Sequence, residues 1–565
     1  MTTVSAKHEH SALPLRRLWH RELSEYPGPA TRYTSLAIVV LATVVLYYQF
    51  YLAGAVATRI LADYHMSFVY YVNISVVGYV FGAIASFATG VADRYGRANI
   101  VTAGLFIVAL LCLFGIPNAG SSLAFGVIYV LIGLVEGVIL VATPALIRDF
   151  SPQLGRASAM GFWTLGPVVG SLVVSVQVST SSNSYPWQNH YVISGIVGLV
   201  VAVLSLLLLR ELAPSLRDQV MVSAKDRALI EARAKGIDVE ASLKHPFRQM
   251  LKPDIILSSF AISVFLIIYY IAVGFFPIYF QTIFGFTQSQ ANTLGDWMWA
   301  FNAGALLIVG LVSDKVGVRK PFMLVGAIAA IVATIIFLSK ATQPDTSFDT
   351  FVWILIFMAV SLGVAYAPWM ASFTETAEQR NPALAATGLA VWGLVIRIVI
   401  ALSVFFLPSV VNTVTPLVEK GPTVQAIAEG KDPSLNASQN AAVAAVAKNP
   451  GIVPKVKKLA AQNPADLSAT NRKFLSTYGP PLQDPKVQSA LKYLQSNAPA
   501  VQKAATDSPK QWRTYFWVAV GGEVVFIPLI WMLVGGWDPR AAKRAAAEHE
   551  AWVRGQLEES GHPDS

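Results

Sequence analysis

Three ionisable residues stand in the middle of long apolar stretches: Glu136, Arg397 and Glu523. A charge in hydrocarbon is costly unless it is paired or hydrated, so such a residue marks a buried partner, a wet cavity or a functional group. Glu136 has the chemistry of a proton carrier, a carboxyl that can take up and release a proton away from bulk water. Its alternative role is that of a permanently protonated acid hydrogen-bonded to a neighbouring helix. Arg397 stays charged at physiological pH and requires an anion. That anion is either a protein carboxylate, Glu136 among the choices, or a bound solute. Glu523, in the last apolar stretch, fits a packing role better.

Aromatic and amide residues gather at comparable depth. One stretch offers Tyr47, Tyr48, Gln49 and Tyr51; another offers Tyr269 and Tyr270; others hold Trp297, Trp299, Asn302, Trp163 and Trp392. Tyrosines buried at mid-depth need hydrogen-bond partners, which a polar cavity supplies. Adjacent helical positions point about 100° apart, so not all of them can face one cavity. Trp297 and Trp299 read as residues of an interfacial aromatic belt.

The elements that carry these residues are apolar runs long enough to cross a bilayer as helices. Twelve are expected, near 35–57, 68–90, 100–116, 122–147, 157–179, 191–209, 255–284, 290–312, 321–339, 350–373, 384–412 and 514–535. The composition agrees: 54% hydrophobic, only 13% charged, and a mean hydropathy of +0.53, where a soluble domain carries about 25% charged residues. Cys112 is the single cysteine, which excludes an intrachain disulfide or a cysteine-based metal cluster. No phosphate-binding glycine loop, metal-spaced histidine pair or nucleophile triad is present, so neither an enzyme nor a cofactor or metal site is expected. The net charge of +9 is spread over tails and loops, which argues against a nucleic-acid surface.

Orientation follows from the short loops. Arg94, Arg97, Arg148, Arg156, Lys315, Arg319, Lys320 and Arg380 fall on one side, and only Arg59 and Lys340 on the other. The basic side is the cytosolic one, and both termini lie there. The expected organisation is a cytosolic tail 1–34, a six-helix bundle 35–209, a cytosolic linker 210–254, a second bundle 255–535 and a cytosolic tail 536–565. Residues 1–34 lack the apolar core of a cleavable signal, so the first span is expected to serve as an uncleaved anchor. The second bundle is interrupted by an extracytoplasmic insertion, 413–511, expected to form short helices or to be partly disordered. Its twelve Lys/Arg against six Asp/Glu give it a net +6, which fits a solvated spacer or a surface for anionic polymers.

A short signature occurs twice, 221 residues apart: Asp93-Arg94-Tyr95-Gly96-Arg97 and Asp314-Lys315-Val316-Gly317-Val318-Arg319. A tandem tyrosine repeats at an offset of 222, from Tyr47-Tyr48 to Tyr269-Tyr270. Repetition at half-length points to two related bundles. The first copy, with Gly90 leading it, resembles the Gly-x-x-x-Asp-(Arg/Lys)-x-Gly-(Arg/Lys) loop of the major facilitator superfamily, the glycine standing one place late. The second keeps Gly310 four residues before Asp314 and delays its last cation to Arg319. The resemblance spans all twelve apolar runs. In span 5, Gly161, Gly166-Pro167 and Gly170 resemble the Gly-Pro-x-x-Gly element of the antiporter branches and form a close-packing face. Span 11 carries Gly388 and Gly393, with Arg397 where Gly170 would repeat. A third family element departs from the pattern: the span 4 arginine place is Gly133, and Glu136 precedes Gly137.

The resemblance implies an all-α integral membrane protein with twelve transmembrane helices in two pseudo-symmetric six-helix bundles. It also implies secondary transport of a small solute by alternating access, acting as a monomer in the cell membrane. The two signature loops would latch the bundles together on the cytosolic side in one state. Proton coupling through Glu136 and an organic anion held by Arg397 are the expected chemistry. A drug/proton antiporter is the alternative, and a non-transporting sensor using 413–511 a further one.

Overall fold

The computed structural model describes residues 21–85, 95–151, 162–213, 246–380, 385–456 and 468–541, with residues 544, 547, 548 and 551. Twelve helices among them are long and apolar enough to cross a bilayer. They are span 1 (Pro29–Ala55), span 2 (Phe68–Ala85), span 3 (Arg97–Asn118), span 4 (Ser122–Ile147), span 5 (Phe162–Ser179) and span 6 (Trp187–Leu208), then span 7 (Pro253–Phe284), span 8 (Gln288–Val316), span 9 (Lys320–Lys340), span 10 (Phe348–Ala377), span 11 (Thr387–Val410) and span 12 (Pro485–Met532).

Local chemistry sets their ends. Proline opens spans 1 and 7 at positions where its missing N–H costs nothing. The Ser121 hydroxyl caps span 4, and Thr287 with Gln290 forms a reciprocal capping box at span 8. Gly285 and Gly317, at φ 66° and 79°, end spans 7 and 8 in the left-handed conformation that glycine adopts without strain. Leu311, Ile308, Val325 and Trp353 lie exposed on the outer walls, as lipid-facing side chains must.

The starts of spans 1 and 7 and the ends of spans 6 and 12 lie on one face, called here the terminal face; the ends of spans 1 and 11 lie on the other, the insertion face. Spans 1 and 7, 2 and 11, and 5 and 8 pair across the two halves. Six hydrogen bonds cross between the halves among the described residues, all toward the insertion face. Thr58 bonds Gln281, and the Phe68 amide bonds Thr415. Ser179 bonds Asp296, the Asn183 side chain accepts from the Ser289 amide, the Ser289 hydroxyl donates to the Ser179 carbonyl, and Asn292 donates to the Ala55 carbonyl. Gly54 lets span 1 meet span 7 backbone to backbone, at the Val273 carbonyl and Gly274, where a side chain would collide. The halves are thus closed together on the insertion face.

The insertion forms short helices, and two elements run beyond their expected bounds. The helix that carries span 12 is 45 residues long, Pro485–Leu529, and begins well before the apolar run expected from 514. The preceding segment forms helices Gly421–Glu429 and Ala437–Lys448, which pack on that long helix, and Ala469–Tyr478, which packs on Ala437–Lys448. They share a small hydrophobic core of their own around Ile427, Val443, Phe474, Leu482 and Val487. The insertion is therefore a folded helical subdomain in its described part. The amino-terminal segment also docks: Glu22–Leu23 pairs in parallel with Glu211–Leu212 as a two-stranded ribbon.

Candidate functional site

At mid-depth, side chains from both halves converge. Glu136 sits at the centre of span 4 and is only 6% exposed. Its carboxylate makes no hydrogen bond among the described residues, and Arg397 of span 11 is the cation that acts on it. Arg397 is half-buried and spends one N–H on the Gly393 carbonyl of its own helix at 3.2 Å. A guanidinium carries five N–H donors in a planar fork, and the rest of this one engages no described residue. The two charges therefore feel each other across the interface without forming a direct pair.

Tyrosines surround them. Tyr47 of span 1 lies within electrostatic reach of Glu136, Arg397, Tyr270 and Tyr366. Tyr270 of span 7 is coupled to Arg397 and Glu136, and Tyr79 of span 2 to Tyr270 and Glu136. Aromatic contacts extend this group towards the insertion face, with Tyr51 on Tyr47 at 5.2 Å between ring centroids and Tyr269 on Tyr270 at 5.1 Å. Trp299 closes on Tyr269 at 5.1 Å, and Tyr269 is buried with Ser171 of span 5 acting on its hydroxyl.

Gly170 explains how span 1 reaches this position. Its hydrogen lies against the Tyr47 side chain and the Tyr48 backbone, and any side chain would push span 1 away. Gly166 abuts Thr43 one turn earlier. Pro167 opens the regular helix Gly166–Ser179 after a break at Leu165, so it starts a segment and does not bend an intact one. Gly161 lies outside the described residues.

Several expected site residues face elsewhere. Tyr48 donates to Gln177 at 2.7 Å, and Gln49 donates to the Ser194 carbonyl at 3.1 Å, both inside the first half. Of the triplet 47–49, only Tyr47 points between the halves, as the 100° step requires. Asn302 donates to the Ala359 carbonyl at 2.7 Å and ties span 8 to span 10. Trp163 donates to Thr143, joining spans 5 and 4. Trp392 stacks near Trp369 at 5.9 Å within the second half. Trp297 is 46% exposed, as a belt residue should be, whereas Trp299 is buried against Tyr269. Tyr79 and Tyr366 were not singled out in the sequence; a tyrosine deep in an apolar run was the available signal.

The two signature loops lie on the terminal face. Gly90, Asp93 and Arg94 fall outside the described residues. Gly96 adopts φ 91° and lies against the Glu211 carboxylate, which accepts the Arg97 amide at 2.7 Å. The Arg97 side chain pairs with Asp149 at the end of span 4 at 2.9 Å. In the second half Arg319 pairs with Asp314 and with Glu375 at 3.2 Å. Gly317 supplies the turn, while Gly310 has open space where a side chain would be. Each described pair lies within its own half. Arg21, 3% exposed, adds a brace between spans 3 and 6: it donates to Asn99 and to the Ser205 carbonyl at 2.8 Å each, and to Thr102 at 3.0 Å.

Glu523 is fully buried, with Thr334 donating to one oxygen at 2.7 Å and the other oxygen sealed without a partner. It lies between spans 12 and 9, away from the tyrosine cluster.

A twelve-helix bundle in two halves, with a charged site at mid-depth between them, is the architecture of a membrane transporter. The family profile described as Major Facilitator Superfamily matches residues 39–404, and the chain belongs to that superfamily of transporters. It is 25% identical over 247 residues to the hexuronate transporter of Bacillus subtilis, covering 42% of this chain and 54% of that protein. The chain thus spans about half the length of that relative. It is 26% identical to the multidrug resistance protein MdtL of Shigella dysenteriae, covering 63% and 88% of the two chains. It is 27% identical to probable anion transporter 3, chloroplastic, of Arabidopsis thaliana, covering 42% and 46%. Among solved structures, a bacterial homolog of the human lysosomal transporter Spinster matches with a TM-score of 0.57 at 16% identity, over 89% of this chain and 97% of that one. A D-xylose-proton symporter matches at 0.54 and 13% identity, over 67% and 90%. These likenesses establish the fold.

Proposed function

We propose that this protein moves a small organic anion across the cell membrane by alternating access, coupled to protons. The observation that carries the reading is the pair of opposite charges, Glu136 and Arg397, facing each other between the halves without a direct bond. Arg397, half-buried at mid-depth, needs an anion. When no solute is present, the Glu136 carboxylate serves as the compensating charge at a distance. When a solute carboxylate takes the guanidinium fork, the cation is engaged and Glu136 becomes an uncompensated buried charge. Taking up a proton then neutralises it. Anion and proton therefore load together and leave together. Tyr47 and Tyr270 supply hydroxyls for the solute beside the fork.

The excess of Lys and Arg in its loops supports a cytosolic terminal face, with both chain ends there. The closed insertion face is then the external one. The path lies between the two halves of a single chain, which suits a monomer. The hexuronate and anion transporters among its relatives favour the anionic solute.

A second reading, export of amphipathic drugs by proton exchange, is favoured by the aromatic lining and by the likeness to MdtL. Counterflow in proteoliposomes separates the two. Labelled carboxylates exchange in the first reading and cationic amphiphiles in the second; failure of both classes in folded protein removes transport of either kind.

A further inference from the structure

The closed insertion face contains an acid that the coupling scheme above does not use. Asp296, two turns into span 8, accepts the Ser179 hydroxyl of span 5 at 2.6 Å across the two halves. Its second oxygen, Oδ1, is buried and has no hydrogen-bond partner. The approach is tight at this level: Gly295 meets Ser175, and a side chain there would press on it. The Ser175 hydroxyl lies beside the carboxyl and donates to the Leu172 carbonyl, leaving its oxygen free to accept.

The surroundings hold no cation to hold Asp296 ionised. The two serines of span 5 are the groups that act on it. Span 5 carries no charged residue between Phe162 and Ser179. Tyr51 of span 1 lines the same cavity as Ser175 and Gly295, and Tyr269 of span 7 packs on Trp299; neither acts on Asp296. Span 10 contributes Asp349 at its start, and the 57–63 helix contributes Arg59 and Asp63; none of these acts on Asp296.

We propose that Asp296 is a proton-sensing lock of the insertion face, which closes over the protonated acid and opens when that proton leaves. An ionised carboxylate closed into the interface loses hydration at Oδ1, where no hydrogen bond replaces it. With a proton on Oδ1, the same oxygen donates to Ser175 while Oδ2 still accepts from Ser179. Each oxygen is then satisfied, and the charge is gone. The proton enters from the water on the insertion side as the halves close and returns to that side as they part. Asp296 therefore gates and does not carry; net proton movement stays with Glu136. The inference rests on alternating access but on neither the solute nor the carrier.

The test is a distance measurement on the full-length protein in liposomes. Spin labels at Ser184 and Asp345, exposed on the insertion face in opposite halves, report closure without any solute. In the wild type, acidifying from pH 8 to pH 5 is expected to shift the population from the long to the short distance. Asp296→Asn keeps one donor and one acceptor without a charge, so it is expected to give the short distance at every pH. Asp296→Glu keeps a titratable group and is expected to keep the response. A wild-type distance distribution that ignores pH overturns the proposal, whatever the variants do. So does a wild-type response surviving in Asp296→Asn, or one abolished by Glu136→Gln and untouched by Asp296→Asn. Because no solute is used, a failed substrate screen leaves this result standing, and a flat distance response leaves anion exchange standing.

Discussion

Arg21→Ala removes the brace that fastens the amino-terminal segment to spans 3 and 6. Two of its hydrogen bonds are 2.8 Å long, to Asn99 and the Ser205 carbonyl, with a third at 3.0 Å to Thr102. A hydrogen bond to a charged group contributes about 1.5–3 kcal/mol, and leaving its buried partner unsatisfied adds to the loss. Against this stands the relief of a buried guanidinium and the entry of water at a face that opens to solvent. The Thr102–Ser205 bond at 2.7 Å also persists and keeps spans 3 and 6 tied. The net cost is about 3 kcal/mol, the low end of what breaking a buried charged partnership costs. For a cooperative unit the size of the first half, about 2–4 °C per kcal/mol gives a fall in Tm of roughly 6–12 °C. Thermal unfolding of purified protein in detergent, followed by Cys112 becoming reactive to a thiol dye, reads this out, because Cys112 is buried in the first half. Arg21→Lys keeps the charge without the fork and is expected to fall between. A drop below about 2 °C for Arg21→Ala would refute the claim that this residue is part of the folded structure.

Other substitutions test other parts of the account. Gly170→Leu should part span 1 from span 5 at Tyr47 and abolish counterflow, with aggregated protein in size-exclusion chromatography or a large loss of Tm. Glu523→Gln should leave Tm within about 2 °C, because the amide oxygen still accepts from Thr334 and the protonated-acid shape is kept; its pH-driven accumulation should match the wild type, and a specific loss of driven transport would move Glu523 into the coupling machinery. Phe474→Asp should unfold the insertion's small core, seen as new protease cleavage between 413 and 484, while counterflow continues if the subdomain is a spacer. Arg397→Lys should lower anion counterflow at least tenfold despite the retained charge, since two-pronged recognition is lost, and Arg397→Gln should remove it. Full anion transport by Arg397→Gln combined with Glu136→Gln would exclude Arg397 as the anion's ligand.

The twelve spans were readable because lipid demands long apolar helices, and that demand is written in one dimension. Glu136 and Arg397 stood out for the same reason: a charge at mid-span has no bland place to go. The partners of those charges were not readable. Tyr79 and Tyr366 lie on spans 2 and 10, and only the packing of the two halves brings them to Tyr270. Gln49 and Asn302 misled because an amide inside a bilayer serves a neighbouring helix's carbonyl as well as it serves a solute. Tyr48 and Gln49 were further confounded by rotation, since one step along a helix turns a side chain from the path to the bundle interior. Trp299 carries the composition of a belt residue, but its position on span 8 points it at Tyr269. The long helix before span 12 was hidden by its polar start, because hydropathy detects only the part in lipid. Arg21 and Glu211 read as tail and linker residues; the Arg21 carbonyl accepts the Glu211 amide across 190 positions, at the start of the ribbon.

The most direct test of the coupling claim uses proteoliposomes with the wild type and Glu136→Gln, and labelled glucuronate, benzoate and acetate as probes. Each probe is measured twice, as exchange at equal pH and as accumulation driven by an acid exterior. The account predicts that at least one carboxylate exchanges in both proteins and that only the wild type accumulates it against its gradient. Equal driven accumulation by Glu136→Gln, or exchange of tetraphenylphosphonium with none of the carboxylates, would contradict it.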